Sequence, residues 1–140
     1  MDAIVRWTKG LAFTGTAGSG GVVTMDEAPA RGGTGPTPME VVLLALGGCT
    51  GMDVVSILRK MRAPLEDVEI RVTGERAEEH PRVFTRIDVE YVFKGEGLKA
   101  EQVQRAVELS QDRYCSVWAM LQKGTVLTHT WRIDGGAAQG

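Results

Sequence analysis

The chain has 140 residues, of which 43% are hydrophobic and 24% are charged, and its formal net charge is -2. One domain of this length buries roughly two-thirds of its unfolded surface, so a hydrophobic core can form without a disulfide scaffold. The 16 basic and 18 acidic residues are mixed along the chain. Without a basic stripe, neither nucleic acid nor an anionic membrane is expected as a partner.

The N-terminal segment is not expected to act as an export signal, because residues 1–10 lack the apolar core of a signal peptide. The longest apolar segment is interrupted by Gly47 and Gly48 and is expected to be too short to span a bilayer. We therefore expect a cytoplasmic protein.

The first 36 residues are predicted to form strands separated by tight turns. Ala3, Val5 and Trp7 alternate with other residues, as is typical of a strand. Glycines at 18–21 predict a second turn, and the Gly- and Pro-rich segment 29–36 predicts a loop.

A helix is predicted over residues 37–62. Thr37 is the expected N-cap, Pro38 the first helical residue, and Glu40 completes a capping box three positions after the cap. Basic residues in the last turn suit the negative end of the helix dipole, and Pro64 follows where the helix must stop.

Apolar residues cover nearly the whole circumference of the first two-thirds of this helix. They are Val41, Val42, Leu43, Leu44, Leu46, Met52, Val54, Val55, Ile57 and Leu58. A helix that is apolar on every side is buried on every side. One short chain has too little other structure to wrap it, so a homodimer is predicted.

The second half of the chain alternates between strand and helix patterns. Residues 66–94 predict an antiparallel hairpin, residues 98–122 predict two helices with an interruption at residues 112–114, and residues 126–133 predict a last strand before a tail of small residues. The fold class is therefore α+β, with one domain over residues 1–140.

The chain has two cysteines, Cys49 and Cys115, and their spacing matches neither a CxxC pair nor a zinc site. His80 and His129 do not complete a ligand set, so no metal and no other cofactor is expected. Two cysteines in a cytosolic protein are, taken alone, more typical of inert buried side chains than of a redox couple.

Cys49 lies within Gly47-Gly48-Cys49-Thr50-Gly51, in the middle of the predicted helix. Each glycine costs about 1 kcal/mol relative to alanine there. Either another element packs closely on these glycines, or they leave room for a substrate. A reactive Cys49 needs a nearby cation, for which Arg31 is the candidate, whereas Asp53 is expected to face elsewhere or to pair with a base.

Cys115 is predicted to open a short helix, whose free backbone N–H groups favour a thiolate. The alternative is a small core residue beneath that helix. Glu40 is better explained as the capping acid than as a catalytic group, and His129 better as a histidine in a sheet than as a general base. No Cys–His pair is evident, which argues against a hydrolase.

Two segments carry a family resemblance: GGTGPTPMEVVLLALGGCTGMDVVSILRK at 32–60 and RYCSVWAMLQKGTVLTHTW at 113–131. They resemble the OsmC-like family of osmotically inducible and organic-hydroperoxide-resistance proteins. The resemblance rests on the proline-led helix start, the small residues around Cys49, and a second cysteine at the start of a later helix. It implies an intertwined homodimer, with long central helices packed on curved antiparallel or mixed sheets.

The same resemblance implies a thiol peroxidase of the oxidative stress response. Cys49 would attack a hydroperoxide and become a sulfenic acid, and Cys115 would condense with it to a disulfide. A small dithiol of lipoyl type would then restore both thiols.

The sequence departs from the organic-peroxide branch of the family, in which an acid directly follows the helix-start proline. That position here is Met39, and Glu40, one residue later, points about 100° away around the helix. The segment 14–21 contains no arginine. The chain therefore resembles a less-characterised branch, in which Arg31 and Glu40 are candidates for stabilising the thiolate, and Met39, Met52 and Trp118 for lining an organic substrate pocket.

Two further classes of function stay open from the residues. One is a non-catalytic dimer that binds a hydrophobic small molecule, with the cysteines as passengers. The other is a thiol redox sensor, or an enzyme of other chemistry such as acyl transfer through Cys49.

Overall fold

A computed structural model describes residues 1–135 and the backbone of residues 138 and 139. The predicted small-residue tail therefore lies mostly outside the described residues. The chain forms two compact units, Met1–Val42 and Leu43–Gly140.

The first unit contains a three-stranded antiparallel sheet in the order β1 (Ala3–Lys9), β2 (Ala12–Ala17), β3 (Val22–Met25). Gly10 and Gly20 adopt positive φ angles of 54° and 94° in the turns, which a side chain would disfavour. The predicted strands and turns are confirmed. A single 3-10 turn at Pro29–Arg31 adds short structure to the predicted loop.

One face of this sheet is apolar and exposed. In the strand register Trp7 pairs with Phe13, and Phe13 pairs with Met25, so these side chains lie side by side. Val5 and Trp7 are 54% and 68% exposed. Three strands need a covered apolar face to be stable, and the first unit alone does not cover this one.

Helix α1 runs over Pro38–Lys60, within two residues of the predicted limits. Its start is the predicted capping box: the Thr37 N–H donates to Glu40 Oε1 over 2.9 Å, and the Glu40 N–H donates to Thr37 Oγ1 over 3.2 Å. Met61 and Arg62 form a turn after the helix, with Arg62 at a φ of 57° before Pro64.

The burial of α1 within the single chain is confined to one face. Its fully buried residues form a single stripe of Leu46, Thr50, Val54 and Leu58, spaced four apart on one face. Leu44 and Met52 are 64% and 77% exposed. A single chain thus covers only one side of the helix, as expected of a chain with too little other structure to wrap it, and burial of the remaining sides by a second copy stays a prediction.

The second unit contains a four-stranded mixed sheet in the order β4, β5, β6, β7. β4 (Asp67–Arg76) and β5 (Phe84–Lys94) form the predicted antiparallel hairpin, and β6 (Val126–Ile133) runs parallel to β5. A short strand, β7 (Ala138–Gln139), pairs antiparallel with β6 and was not predicted. Strands and helices are segregated along the chain as expected, which confirms the α+β class.

The parallel pairing of β5 and β6 requires a long crossover. The crossover consists of α2 (Ala100–Leu109), a π-helical turn (Ser110–Tyr114) and α3 (Ser116–Leu121). The inward residues of β5 form the centre of the core, together with apolar residues of α1 and α2. These residues are Ile87, Val89, Tyr91, Phe93, Leu46, Val54, Leu58, Val103 and Val107, each at most 1% exposed.

Helix α1 is long and apolar enough to span a membrane by length and composition, with a mean hydropathy of 2.0 over its 18-residue window. The expectation that this segment is too short is therefore wrong. One such helix is weak support for a membrane span, because core helices of water-soluble proteins meet the same criterion.

Candidate functional site

The second unit brings the two cysteines together. Cys49 lies half-buried in the middle of α1, and Cys115 is buried in the residue before α3. Cys49 is close enough to Cys115 that its side chain contributes to the raised pKa of the Cys115 thiol. Both are free thiols. The structure therefore holds two reduced thiols close together. One lies on α1, the longest helix, and the other on the crossover between β5 and β6.

Cys115 occupies the predicted position but not the predicted ionisation state. It is the N-cap of α3, where its Sγ accepts the Trp118 backbone N–H over 3.4 Å. Burial nevertheless raises the pKa of the Cys115 thiol to about 12, helped by the hydrogen bond and charge of Cys49 and the charge of Asp53. The expected thiolate is wrong, because one backbone donor cannot offset the loss of water around the sulfur.

The Cys115 backbone is held by the π-helical turn that precedes it. Its N–H donates to the Ser110 carbonyl oxygen over 2.7 Å, the wide spacing of a π-helix. Single π turns are rare and are frequent at functional sites. The sequence predicted only an interruption at residues 112–114, since no residue pattern distinguishes a π turn from a helix end.

A buried chain of polar side chains lies beside the thiol pair. Thr50 Oγ1 is 2.8 Å from Tyr91 Oη and 2.7 Å from Ser110 Oγ. Ser110 Oγ donates to Asp53 Oδ2 over 2.9 Å, and Gln111 Nε2 donates to Tyr91 Oη over 3.2 Å. Thr50, Tyr91 and Ser110 are fully buried.

This polar chain was missed at the level of sequence. Its one signal is Thr50, the single polar residue in the buried stripe of α1. A buried hydroxyl needs a partner, so Thr50 on an apolar face indicates polar groups on the elements that pack against it.

Asp53 is part of this cluster, contrary to the expectation that it faces elsewhere or pairs with a base. It accepts the Ser110 hydroxyl, and its charge contributes to the raised pKa values of Cys115 and Tyr91. It also borders a cleft of about 370 Å³, whose other lining residues are Ser56, Ile57, Lys60, Met61, Leu109 and Tyr114. Asp53 thus lies between the buried polar chain and this cleft of the second unit.

The glycines around Cys49 divide between the two interpretations that the sequence left open. A Cβ on Gly47 would lie 3.2 Å from Val72 Cγ2, and one on Gly51 would lie 3.5 Å from Ile70 Cγ1. A Cβ on Gly48 would have no neighbour within 4 Å. Gly47 and Gly51 therefore permit close packing on β4, whereas Gly48 leaves an open groove.

The candidates Arg31, Met39 and Glu40 belong to the first unit. Arg31 ends the 3-10 turn and is exposed, and Met39 is half-buried in the first turn of α1. The Glu40 carboxylate accepts the Thr37 N–H, which lowers the pKa of Glu40. Glu40 thus has the expected capping role, while a contribution of Arg31 or Glu40 to ionising Cys49 stays a prediction.

The other two pocket candidates have different environments within the second unit. Met52 is exposed in an apolar groove lined also by Gly48, Gly51, Val55 and Ile70. Trp118 is buried, and its ring meets the edge of His129 with centroids 6.2 Å apart. A shared substrate pocket for Met39, Met52 and Trp118 stays a prediction.

His129 lies in β6, as predicted, and burial lowers the pKa of its imidazole. Its ring packs on Trp118 rather than forming a hydrogen bond in the described part of the chain. His80 is exposed before Pro81. No group of three or more His, Cys, Asp or Glu side chains that could hold a metal ion occurs among the described residues.

The chain matches known proteins over most of its length. The sequence model of the family described as OsmC-like protein matches residues 31–130. Protein YhfA of Escherichia coli K12 is 46% identical over 133 residues, which cover 95% of this chain and 98% of that protein.

Solved structures extend the similarity to the fold. A hypothetical protein from Aquifex aeolicus is 32% identical, with a TM-score of 0.85 and coverage of 94% of both chains. The organic hydroperoxide resistance protein OhrB of Bacillus subtilis is 20% identical, with a TM-score of 0.63 and coverage of 94% of this chain and 98% of that chain. The second likeness shows a common fold. With the family match over residues 31–130, these similarities establish that the chain belongs to the OsmC-like family.

Proposed function

We propose that this protein is a cysteine-based hydroperoxide reductase in which Cys49 is oxidised first and Cys115 resolves the oxidised form. The observation that carries the proposal is the thiol pair: two free cysteines from distant parts of the chain lie close enough that Cys49 contributes to the raised pKa of Cys115. Membership of a family that includes organic hydroperoxide resistance proteins supports the choice of substrate.

The difference between the two cysteines supports the order of events. Cys49 is half-buried beside Gly48, where the helix surface is open. Cys115 is 2% exposed, and its high pKa keeps it protonated near neutral pH. A peroxide reaches the more open sulfur first, and only a thiolate is a good nucleophile. Cys115 is therefore the slower nucleophile and acts second, losing its proton as its sulfur attacks the sulfenic acid.

The chemistry balances in three steps. The Cys49 thiolate attacks the terminal oxygen of a hydroperoxide, the O–O bond breaks, and the products are a sulfenic acid on Cys49 and an alcohol that takes a proton. The Cys115 thiol then attacks the Cys49 sulfur, which forms the disulfide and releases water. A small dithiol, of lipoyl type, exchanges with the disulfide and leaves as its own disulfide with both protein thiols restored.

A second copy of the chain is proposed to complete the molecule. Leu44 and Met52 on α1 are more than half exposed, as are Val5 and Trp7 on the first sheet. Exposed apolar surfaces of this kind mark interfaces. Sedimentation at micromolar concentration should show a dimer, and Met52→Glu should weaken it. A stable wild-type monomer would contradict the proposed homodimer.

The proposed cycle needs a compartment in which thiols are kept reduced, and the cytoplasm is such a compartment. Peroxide reduction there would contribute to defence against oxidative stress.

The test of the function exposes the reduced protein to cumene hydroperoxide, counts free thiols, and maps the products by mass spectrometry. The wild type should lose both thiols to one Cys49–Cys115 disulfide. Cys115→Ser should stop at a sulfenic acid on Cys49, and Cys49→Ser should not react. Turnover with dihydrolipoamide distinguishes an enzyme from a single-use sensor. Survival of both wild-type thiols in excess peroxide would overturn the proposal and favour a non-catalytic binding protein.

A further inference from the structure

The hydrogen-bond chain beside the thiols has a direction, and Asp53 sets it. A carboxylate only accepts, so the single proton of the Ser110 hydroxyl points to Asp53. Thr50 must then donate to Ser110, and Tyr91 must donate to Thr50. Gln111 completes the order by donating to Tyr91. Each hydroxyl has one proton, which leaves one arrangement for the whole chain.

This chain joins the two segments that carry the thiols. Thr50 and Asp53 follow Cys49 on α1 within about one turn, whereas Ser110 and Gln111 begin the π-helical turn that leads to Cys115. The carbonyl of Ser110 accepts the Cys115 N–H. The side chain of Ser110 therefore holds the turn to α1, while its backbone holds Cys115.

We propose that Asp53 is a positioning residue that acts through Ser110 to hold Cys115 against Cys49 for disulfide closure. The role of this closure in turnover rests on the proposed function. The closing step itself is the attack of the Cys115 sulfur on the oxidised Cys49 sulfur, with the Cys115 proton leaving on the displaced group. Asp53 makes no hydrogen bond to either sulfur in the described part of the chain, so its proposed role is to hold Ser110 in place and not to transfer a proton.

A purely structural role for Asp53 would have a different consequence. If the polar chain only stabilised the fold, breaking it would slow both the oxidation of Cys49 and the closure of the disulfide. A positioning role affects only closure, because Cys49 is placed by α1 itself, whose backbone hydrogen bonds do not depend on Asp53.

The test compares Asp53→Asn with Ser110→Ala and Thr50→Val, which break the same chain at other points without removing a charge. Asp112→Asn is the matched control, since it removes a carboxylate from an exposed residue of the same turn. The first measurement equilibrates each protein in glutathione redox buffers and determines the effective concentration of Cys49 and Cys115 for each other. It requires no peroxide chemistry.

The three chain variants should lower this effective concentration about tenfold. Asp53→Asn and Ser110→Ala remove the hydrogen bond to the charged carboxylate, and Thr50→Val interrupts the chain that leads to it. The double variant Asp53→Asn with Ser110→Ala should lower the effective concentration little more than either single variant, since both substitutions act through one contact. Asp112→Asn should match the wild type.

The second measurement treats each reduced protein with cumene hydroperoxide in the presence of dimedone. The chain variants should consume peroxide within about twofold of the wild-type rate but accumulate more trapped sulfenic acid, as expected when only the later step loses stabilisation.

Wild-type effective concentrations in all three variants, or equal slowing of both steps, would overturn the positioning role. If the wild type forms the disulfide in glutathione but ignores peroxide, the proposed function fails while the positioning role stands. If Asp53→Asn does not fold, Thr50→Val and Ser110→Ala decide the outcome.

Discussion

The two faces of α1 differ in what the chain provides for them. On the inner face Leu46, Thr50 and Val54 are fully buried, and even the polar Thr50 has two hydrogen-bond partners. On the outer face Leu44 and Met52 are mostly exposed although they are apolar. The comparison teaches that hydrophobicity along a helix reveals that it will be covered, but not which molecule covers it.

The largest expected effect is the difference in unfolding free energy between a variant of the inner face and a variant of the outer face. Leu46→Ala should lower the free energy of unfolding by about 2–5 kcal/mol, because it leaves a cavity in a packed core. Leu44→Ala removes the same atoms from a largely exposed site and should change the fold of one chain far less. Urea denaturation followed by circular dichroism measures both.

The dependence of stability on protein concentration tests the same difference between the two faces. If a second copy covers the outer face, the effect of Leu44→Ala should grow with protein concentration, while that of Leu46→Ala should stay constant. Equal effects of both variants at every concentration would remove the distinction between the faces.

The second prediction concerns the polar partners of the inner face. Tyr91→Phe keeps the buried ring but removes the hydroxyl that Thr50 and Gln111 share. It should cost about 1–3 kcal/mol, because buried polar groups lose a partner. Tyr114→Phe is the matched control: its side chain is 51% exposed, and its effect should stay within about 0.5 kcal/mol. Equal effects in thermal unfolding would contradict the importance of the polar chain.

The third prediction is a pH dependence at the inner thiol. Burial raises the pKa of Cys115 to about 12, whereas an unfolded cysteine loses its proton near pH 8.5. The native state therefore binds more protons above that pH, and the contribution of Cys115 to stability is complete below it and lost as the pH rises toward 12.

Urea denaturation between pH 8 and 11 should show a steeper loss of stability for the wild type than for Cys115→Ser. Tyr91, whose pKa is also raised by burial, contributes to both curves and cancels in their difference. Parallel curves for the two proteins would mean that Cys115 is not protonated in the folded state at alkaline pH.

The smallest expected effect lies at the glycines beside Cys49. Gly48→Ala should raise the free energy of unfolding by about 0.5–1 kcal/mol, because alanine is the better helix former and its Cβ meets no neighbour in this chain. Gly47→Ala should lose this gain, since its Cβ would press on Val72. If Gly48→Ala is instead the more destabilising variant in denaturation experiments, a second copy packs directly on Gly48.

Local signals explain why much of the fold was predictable. The capping box at Thr37 and Glu40, the strand alternation at Ile87 to Phe93, and the interruption at residues 112–114 are each recognisable within a few residues. The parallel pairing of β5 with β6 could not be predicted in this way, because pairing depends on how the intervening helices pack and not on the strands alone.

The sequence by itself determined the capped helix, the α+β class, the family, and the two cysteines as the groups of greatest chemical interest. Only the tertiary structure decided that these cysteines meet, that Cys115 is held protonated rather than ionised, and that Asp53 faces the site instead of turning away. The reason is physical: helix and strand propensities act between neighbours in sequence, whereas desolvation and hydrogen bonding depend on groups that folding brings together from distant positions.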